Sequence, residues 1–351
     1  MPPPPNLAWT IPPHSTSPQH LTLTTLATPT PGPHQSLIHL TAASLNYRDL
    51  LITTHSPSYP GLHKPHLVPC ADGAGTILST GPDSAFAGRE GLAVVVHPNT
   101  WLRGDIRGLK SGEILGGASV DGTLQTYVVV DDEQVIVAPA GWTGVECAGL
   151  LTAGASAWAA VRGWMDGGLV GKWVLTQGTG GVSCAAIQIA ARLGATVVAT
   201  SSSDEKLETA RALGAKYLIN YKKTPKWEEE VLRITEGKGV DHVIEVAGAQ
   251  TLMQSVAATR PGGLISIIGI LTDADTIPAA FVPAMLFGAK IVKGIMGFSR
   301  DASAEWIRFS EANGIKPVVA QVFEFDQAIE AFETLQKQNA VGKLVVKIGT
   351  E

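Results

Sequence analysis

The chain has little of what marks several large protein classes. Of its 351 residues only three are cysteine: Cys70, Cys147 and Cys184. Three scattered thiols make no disulfide framework and cannot supply a four-cysteine structural zinc site. Charged residues are 16% of the total, the formal net charge is −5 and no basic stripe occurs, so nucleic acid is not an expected partner. No apolar run approaches the length of a membrane span, and none is expected. The opening, Met1 followed by four prolines, lacks the basic start and apolar stretch of a secretion signal, which makes a cytoplasmic location the expectation.

What is present is apolar material and glycine. Hydrophobic residues reach 45% and Gly numbers 38, enough for sizeable cores joined by tight turns. The length fits two domains better than one. Residues 1–35, rich in Pro, Thr, Ser and His, read as a frayed start leading into an edge hairpin. Short apolar runs at 36–42, 75–79, 92–97, 123–130 and 134–137 then alternate with Gly, Pro and Asp. That is the composition of a mostly β domain with long loops.

From about Trp142 the pattern changes. Residues 146–165 read as helical, with Trp158 and Trp164 on the helix. Strands are predicted at 173–176, 196–200, 217–220, 241–246, 264–269 and 291–294. Helices are predicted between them at 182–193, 204–213, 227–235 and 251–259. Such alternation specifies a parallel sheet covered on both faces. Residues 301–313 and 325–338 read as further helices, and 343–348 as a strand that returns the chain to its first domain. The fold class is therefore α/β.

The strongest chemical signal is WVLTQGTGGVS, from Trp173 to Ser183. An apolar strand enters a glycine-rich turn and a helix follows at once. A pyrophosphate needs such a turn, because backbone must approach it closely and the helix tip offers free N–H groups. Gly178, Thr179, Gly180, Gly181, Val182 and Ser183 are the predicted phosphate contacts, with Ser183 small enough for close helix–strand approach.

The ribose end is read by charge. NAD-binding units place an acid after the second strand; here Ser201-Ser202-Ser203 stands there, followed by Lys206. Hydroxyls and a cation favour the extra phosphate of NADP(H). Ser202, Lys206 and Tyr221 are the predicted contacts. Two alternatives stay open: Ser202-x-x-Glu205 is also a helix capping box, and Asp204 can be the NAD acid displaced by three residues. Loops after later strands supply Ala247, Gly269, Ile270, Leu271 and Gly297 as further cofactor contacts.

Several motifs together resemble the medium-chain dehydrogenase/reductases, in particular the zinc-free quinone reductase and enoyl reductase-like branch. They are LNYRDLL from Leu45, DGAG from Asp72, LTAG from Leu151, QGTGGVS from Gln177, ALGA from Ala212 and RPGG from Arg260. The resemblance covers nearly the whole chain. It implies a GroES-like, mostly β catalytic domain over 1–140 and 314–351, and a doubly wound Rossmann domain over 141–313. It implies a cofactor in the cleft between the two, and a homodimer joined through the Rossmann sheets. It also implies that Lys206 and Tyr221, fifteen residues apart, hold the 2′-phosphate.

The resemblance further places Asn46, Ala71 and Gly149 where zinc-dependent relatives carry metal ligands; none is a good zinc ligand. Asp49 and Asp72 stand where those enzymes keep supporting acids. His55, His63, His66 and Cys70 lie close in sequence, but the absence of a second ligand pair makes them solvated loop residues in this reading. No metal is expected. Hydride transfer belongs to the cofactor, while the protein must supply donors and a proton. Asn46 as polar substrate contact, Tyr59 as proton donor and Thr152 beside the nicotinamide are the catalytic candidates.

The function expected is NADPH-dependent reduction of an activated C=C bond or a quinone, on a small-molecule substrate. Alternatives are an alcohol or carbonyl dehydrogenase, a non-catalytic NADPH-binding regulator, and a tailoring reductase partnering a biosynthetic synthase.

Overall fold

A computed structural model describes residues 5–59, 61, 63–162, 168–272 and 276–349. Two compact units emerge, Met1–Ala153 with Phe298–Glu351, and Gly154–Gly297. Residues 141–153 and 298–313, expected with the parallel sheet, thus sit with the first unit.

The first unit begins with β1 (Asn6–Thr10) and β2 (Thr22–Leu26), an antiparallel hairpin. Ala8, Trp9 and Ile11 are buried, and Trp9 Nε1 donates to Phe325 O at 2.8 Å. From Asn6 onward the start is therefore pinned rather than frayed. Its apolar side chains outweigh the flexible composition around them. The main sheet contains β3 (Gln35–Leu45), β4 (Asp72–Thr80), β5 (Ala93–Val96), β6 (Tyr127–Asp131) and β7 (Val135–Val137). A short helix α1 (Tyr47–Thr53) follows β3, and α2 (Gly144–Ala148) precedes a π-helical turn at Leu151–Ala155. The helix expected over 146–165 is thus broken, and residues 163–165, with Trp164, lie outside the described residues.

In the second unit, α3 (Ser156–Arg162) leads to β8 (Trp173–Gln177), α4 (Gly181–Arg192), β9 (Thr196–Ser201), α5 (Asp204–Ala212), β10 (Tyr217–Asn220) and α6 (Trp227–Ile234). Then come β11 (Val240–Glu245), α7 (Leu252–Ala258), β12 (Thr259–Ile267), α8 (Phe281–Phe287) and β13 (Ile291–Gly294). Six parallel strands run in the order β10-β9-β8-β11-β12-β13. Strand order reverses direction between β8 and β11, the switch point at which such sheets open a crevice. The core on one side joins Leu175, Val198, Val243 and Ile265 to Trp227 and Val231 of α6 and Val256 of α7. Helix α6 shows why it forms: Trp227 and Val231 sit four apart on its buried side, and Glu228, Glu229 and Glu230 face the positive end of its dipole.

The chain then returns to the first unit as α9 (Arg300–Asn313), β14 (Val319–Phe323), α10 (Ala328–Gln336) and β15 (Lys343–Lys347). Strand β15 lies against β3 antiparallel. Within the first unit the sheet runs β14-β15-β3-β4-β5-β7, with β6 also on β3. Helix α10 seals one side by burying Ala328, Ala331 and Phe332 against Leu45, Phe323 and Val346. Among the described residues no helix is long and apolar enough to cross a membrane.

Candidate functional site

The second unit carries an open phosphate cradle. Gly178 adopts φ +69°, a region that costs other residues strain. A side chain built on Gly178 or Gly180 would meet nothing within 4 Å, so the concavity is not filled by protein. Gly180 caps α4 without any side-chain hydrogen bond. The first N–H groups of that helix, from Gly181 through Ser183, therefore remain available to an anion. Ser183 Oγ donates to Gln177 O at 2.7 Å, which fastens helix to strand end. Thr179 and Ser201 hydroxyls lie 3.2 Å apart, linking the turn to the end of β9. The cradle fits a dinucleotide diphosphate.

At the end of β9 the helix cap is Ser203, which accepts from Lys206 N at 3.3 Å. The cap is therefore Ser203 and not a capping box from Ser202, whose hydroxyl makes no hydrogen bond among the described residues. Asp204 is spoken for: its carboxylate accepts from Asn220 Nδ2 at 2.7 Å and pairs with Lys223. Those bonds hold its carboxyl below the ordinary range, Asn220 contributing most. Among the described residues the Lys206 ammonium has no ion pair. Tyr221 follows β10, is exposed, and its N–H bonds Ser201 O at 3.1 Å.

The predicted cofactor loop after β11 is held by a residue that sequence reasoning missed. Glu245, fully buried at the end of β11, accepts from Ala247 N, Gly248 N, Thr251 Oγ1, Gln177 Nε2 and Ser255 Oγ, at 2.5–3.0 Å. Gln177 Oε1 in turn accepts from Val246 N at 3.2 Å. One carboxylate thus ties the turn after β8 to the turn after β11. Gly269 lies where a Cβ would stand 1.9 Å from Val246 O, so only glycine permits that approach. Ile270 and Leu271 are exposed beyond it. Gly297, φ +72°, is the last residue of the unit.

The first unit carries a buried polar centre. Asn46, the N-cap of α1, donates from Nδ2 to Asp72 Oδ2 at 2.9 Å. Thr152, on the π-helical turn, places both N–H and hydroxyl on Asp72 Oδ1, at 2.9 and 2.6 Å. Lys343 of β15, 4% exposed, donates to Leu45 O at 2.7 Å and Asn46 Oδ1 at 2.5 Å, and stands 3.5 Å from Asp72 Oδ2. Two sequence candidates, Asn46 and Thr152, are thus brought together. Lys343 was missed because a lone lysine in an apolar strand ordinarily snorkels to water; its partners lie roughly 270–300 positions away in sequence.

Tyr59 lies in the loop after α1, and its oxygen accepts from Arg48 Nε and Nη2 at 3.4 and 3.2 Å. Arg48 also donates to Asp49 Oδ1 and Leu115 O. Asp49 caps α1 through the Asn46 N–H, and burial raises its carboxyl to about 6. Among the described residues no hydrogen bond joins Tyr59 to the Asn46 centre. The neighbouring Pro60 lies outside the described residues.

The side chains here do not suit zinc. Among the described residues no group of three or more His, Cys, Asp and Glu could hold a metal ion. The amide oxygen of Asn46 faces an ammonium, which repels a dication. A Cβ on Gly149 would meet Pro317 at 3.1 Å; the residue that bonds Asp72 is Thr152. His55 and His63 are not solvated loop residues. They are partly buried, with Nδ1 atoms 3.2 Å apart. His66 is exposed, and burial pushes the Cys70 thiol up.

Comparison with known proteins agrees with both units. Residues 32–140 match the alcohol dehydrogenase GroES-like domain model, and residues 181–312 match the zinc-binding dehydrogenase model. A zinc-type alcohol dehydrogenase-like protein of Schizosaccharomyces pombe is 40% identical over 320 residues, covering 90% of this chain and 92% of the relative. A similarly described Leptosphaeria maculans protein, YogA, is 30% identical over 93% of this chain and 94% of its own. A crystal structure described as an NAD-dependent alcohol dehydrogenase aligns with TM-score 0.86 at 32% identity, covering 98% of this chain and all of the other. A crotonyl-CoA carboxylase/reductase, AntE, solved with NADP, shares the fold at TM-score 0.87 and 20% identity over 100% and 96% of the two chains. With GroES-like and Rossmann-type halves and a relative 40% identical along nine tenths of its length, the chain belongs to the medium-chain dehydrogenase/reductase superfamily.

Proposed function

We propose that this oxidoreductase is an NADPH-dependent, zinc-independent reductase of activated C=C bonds or quinones. The observation that carries the reading is the Asn46–Asp72–Thr152–Lys343 centre. It offers hydrogen-bond donors and acceptors, with an internal ammonium and no metal-ligand set.

The bound nicotinamide coenzyme supplies the hydride; the chain's residues bind, orient and polarise. The cradle from Gly178 to Ser183 would hold the diphosphate at the tip of α4. Ser202, Lys206 and Tyr221 would take the 2′-phosphate, with Asp204 already committed to Asn220 and Lys223. An NAD enzyme needs a free acid at that place. Ala247, Gly269, Ile270, Leu271 and Gly297 would line the coenzyme's nicotinamide end. Asn46 would donate to the substrate oxygen as negative charge develops there. Tyr59 keeps its O–H for donation, because Arg48 occupies only its lone pairs.

The test is turnover of a panel of enones, quinones and aldehydes with NADPH and with NADH, with and without chelator. Chelator-resistant, NADPH-preferring reduction of enones or quinones is expected. A second reading, alcohol or carbonyl dehydrogenase, is favoured by the descriptions of the relatives. Chelator-sensitive alcohol oxidation with NAD would establish it and overturn the first.

A further inference from the structure

The orientation of the Asn46 carboxamide follows from its surroundings. Lys343 has three N–H donors and no acceptor. Two of its acceptors are fixed groups of the fold, Leu45 O and the Asp72 carboxylate. The third is Asn46 Oδ1 at 2.5 Å. At its other end the same amide donates to Asp72 Oδ2 at 2.9 Å. A flipped amide would press its NH2 against an ammonium and its oxygen against a carboxylate. Both contacts would then be repulsive in a place where Lys343 and Asp72 are almost wholly buried.

One Asn46 N–H is spent on Asp72, and the other has no acceptor among the described residues. Asn46 is itself partly exposed. Across the same carboxylate, Thr152 has spent its hydroxyl hydrogen on Asp72 Oδ1 and retains only lone pairs. The centre therefore shows a donor at Asn46 and an acceptor at Thr152.

We propose that Lys343 is a positioning residue that locks Asn46 as a hydrogen-bond donor toward the substrate's carbonyl or quinone oxygen. Lys343 touches no reacting atom; it acts through the amide. The role rests on the reading of Asn46 as a substrate contact given above.

Kinetics of single and double variants test it. Asn46→Asp keeps an oxygen for Lys343 but replaces the outward donor by an acceptor and sets that oxygen against Asp72 Oδ2 as well. Its kcat/KM is expected to fall about 100-fold, the usual loss for one such donor, with KM for the coenzyme unchanged. Lys343→Met frees the amide and is expected to cost about tenfold in kcat, while Lys343→Arg restores most of it. In an Asn46→Ala background, Lys343→Met is expected to have no further effect, because the group it orients is gone. An undiminished, additive effect there would mean a merely structural lysine and overturn the proposal. So would an Asn46→Asp enzyme within about threefold of wild type, a variant that tests the idea even if Lys343→Met does not fold.

A readout independent of turnover separates this proposal from the reductase reading. In the Asn46 side-chain 15N–1H pair, assigned by its loss in Asn46→Ala, the proton held by Asp72 is expected to exchange with water much more slowly than the outward one in wild type and Lys343→Arg. In Lys343→Met that protection is expected to be lost. Signals unchanged by Lys343→Met, or absent protection in wild type and Lys343→Arg, would refute the orientation. A wild-type protein inactive on the whole panel would refute the reductase reading alone.

Discussion

Under the proposed NADPH reading, single residues at the end of β9 would set the coenzyme preference. Among the described residues the Lys206 ammonium has no ion pair and the Ser202 hydroxyl no hydrogen bond, while Asp204 bonds Asn220 and Lys223. Lys206→Ala is therefore expected to raise KM for NADPH about tenfold or more and leave NADH kinetics unchanged, as loss of one charge-assisted phosphate contact would. Parallel steady-state titrations check it; an equal effect on both coenzymes would remove Lys206 from the phosphate site. Sequence legibility differed sharply at this scale. The turn at Gly178 was visible because it depends on neighbours within one βα turn. Lys343 was invisible because its partners come from other segments, and the link Glu245 makes to Gln177 was invisible because it crosses from β11 to β8.

Buried histidines set the acid limit. His242, inside the parallel sheet, bonds Ser266 Oγ at 2.9 Å, and burial lowers its pKa to about 3. His97, between Asn99 and Ser303, is lowered by burial to about 4. Both are neutral when folded and take a proton when unfolded, from about pH 6.5 downward. Stability from each is full above that pH and is lost as pH falls toward the folded value. Asp49 works in the opposite sense between its unfolded 3.8 and folded value of about 6. Two histidines against one carboxylate leave a net loss of about 1.4 kcal/mol per pH unit between pH 6 and 4. Urea midpoints over that range check it, and a flat profile would contradict the burial of both rings.

Among elements, the junction of β8 and β11 deserves the closest test, because one carboxylate holds both turns. Glu245→Ala would leave Gln177 and Ser255 without their buried acceptor and release the Ala247 and Gly248 amides. A stability loss of about 3 kcal/mol or more is expected, with coenzyme affinity weakened too. Denaturant unfolding and fluorescence titration with NADPH measure the two effects. Gly269→Ala is expected to cost about 3 kcal/mol, since its Cβ would stand 1.9 Å from Val246 O. The βα series itself was readable, as each strand is an apolar run closed by a turn. Strand β14 and helix α8 were not. Residues of α8 show no buried side, so the period that announces a helix is missing.

At the scale of the molecule, one surface asks for company. Strand β13 is one of the two edges of the parallel sheet. Beside it in the chain, α8 exposes Leu286 at 70% and Phe287 at 86%, and Ile291 on the edge itself is half exposed. Open strand edges and large apolar patches are seldom left bare. We propose that a second copy of the chain covers this face as a homodimer. Leu286→Ser with Phe287→Ser is then expected to shift the species seen by analytical ultracentrifugation from dimer to monomer. A monomeric wild type at micromolar concentration would refute it.

The sequence by itself determined the α/β class, the parallel sheet and the phosphate cradle. Those features are local: an apolar strand, a glycine turn and a helix tip adjoin in the chain, so their chemistry is set within about a dozen residues. Tertiary structure alone decided how Asn46, Asp72, Thr152 and Lys343 meet, and which end of the Asn46 amide faces outward. It also decided that Asp204 is unavailable and that Gly149 turns toward Pro317. The reason is physical: hydrogen-bond partners of buried polar groups are chosen by packing across the sheet, and packing is not written in the spacing of any one segment.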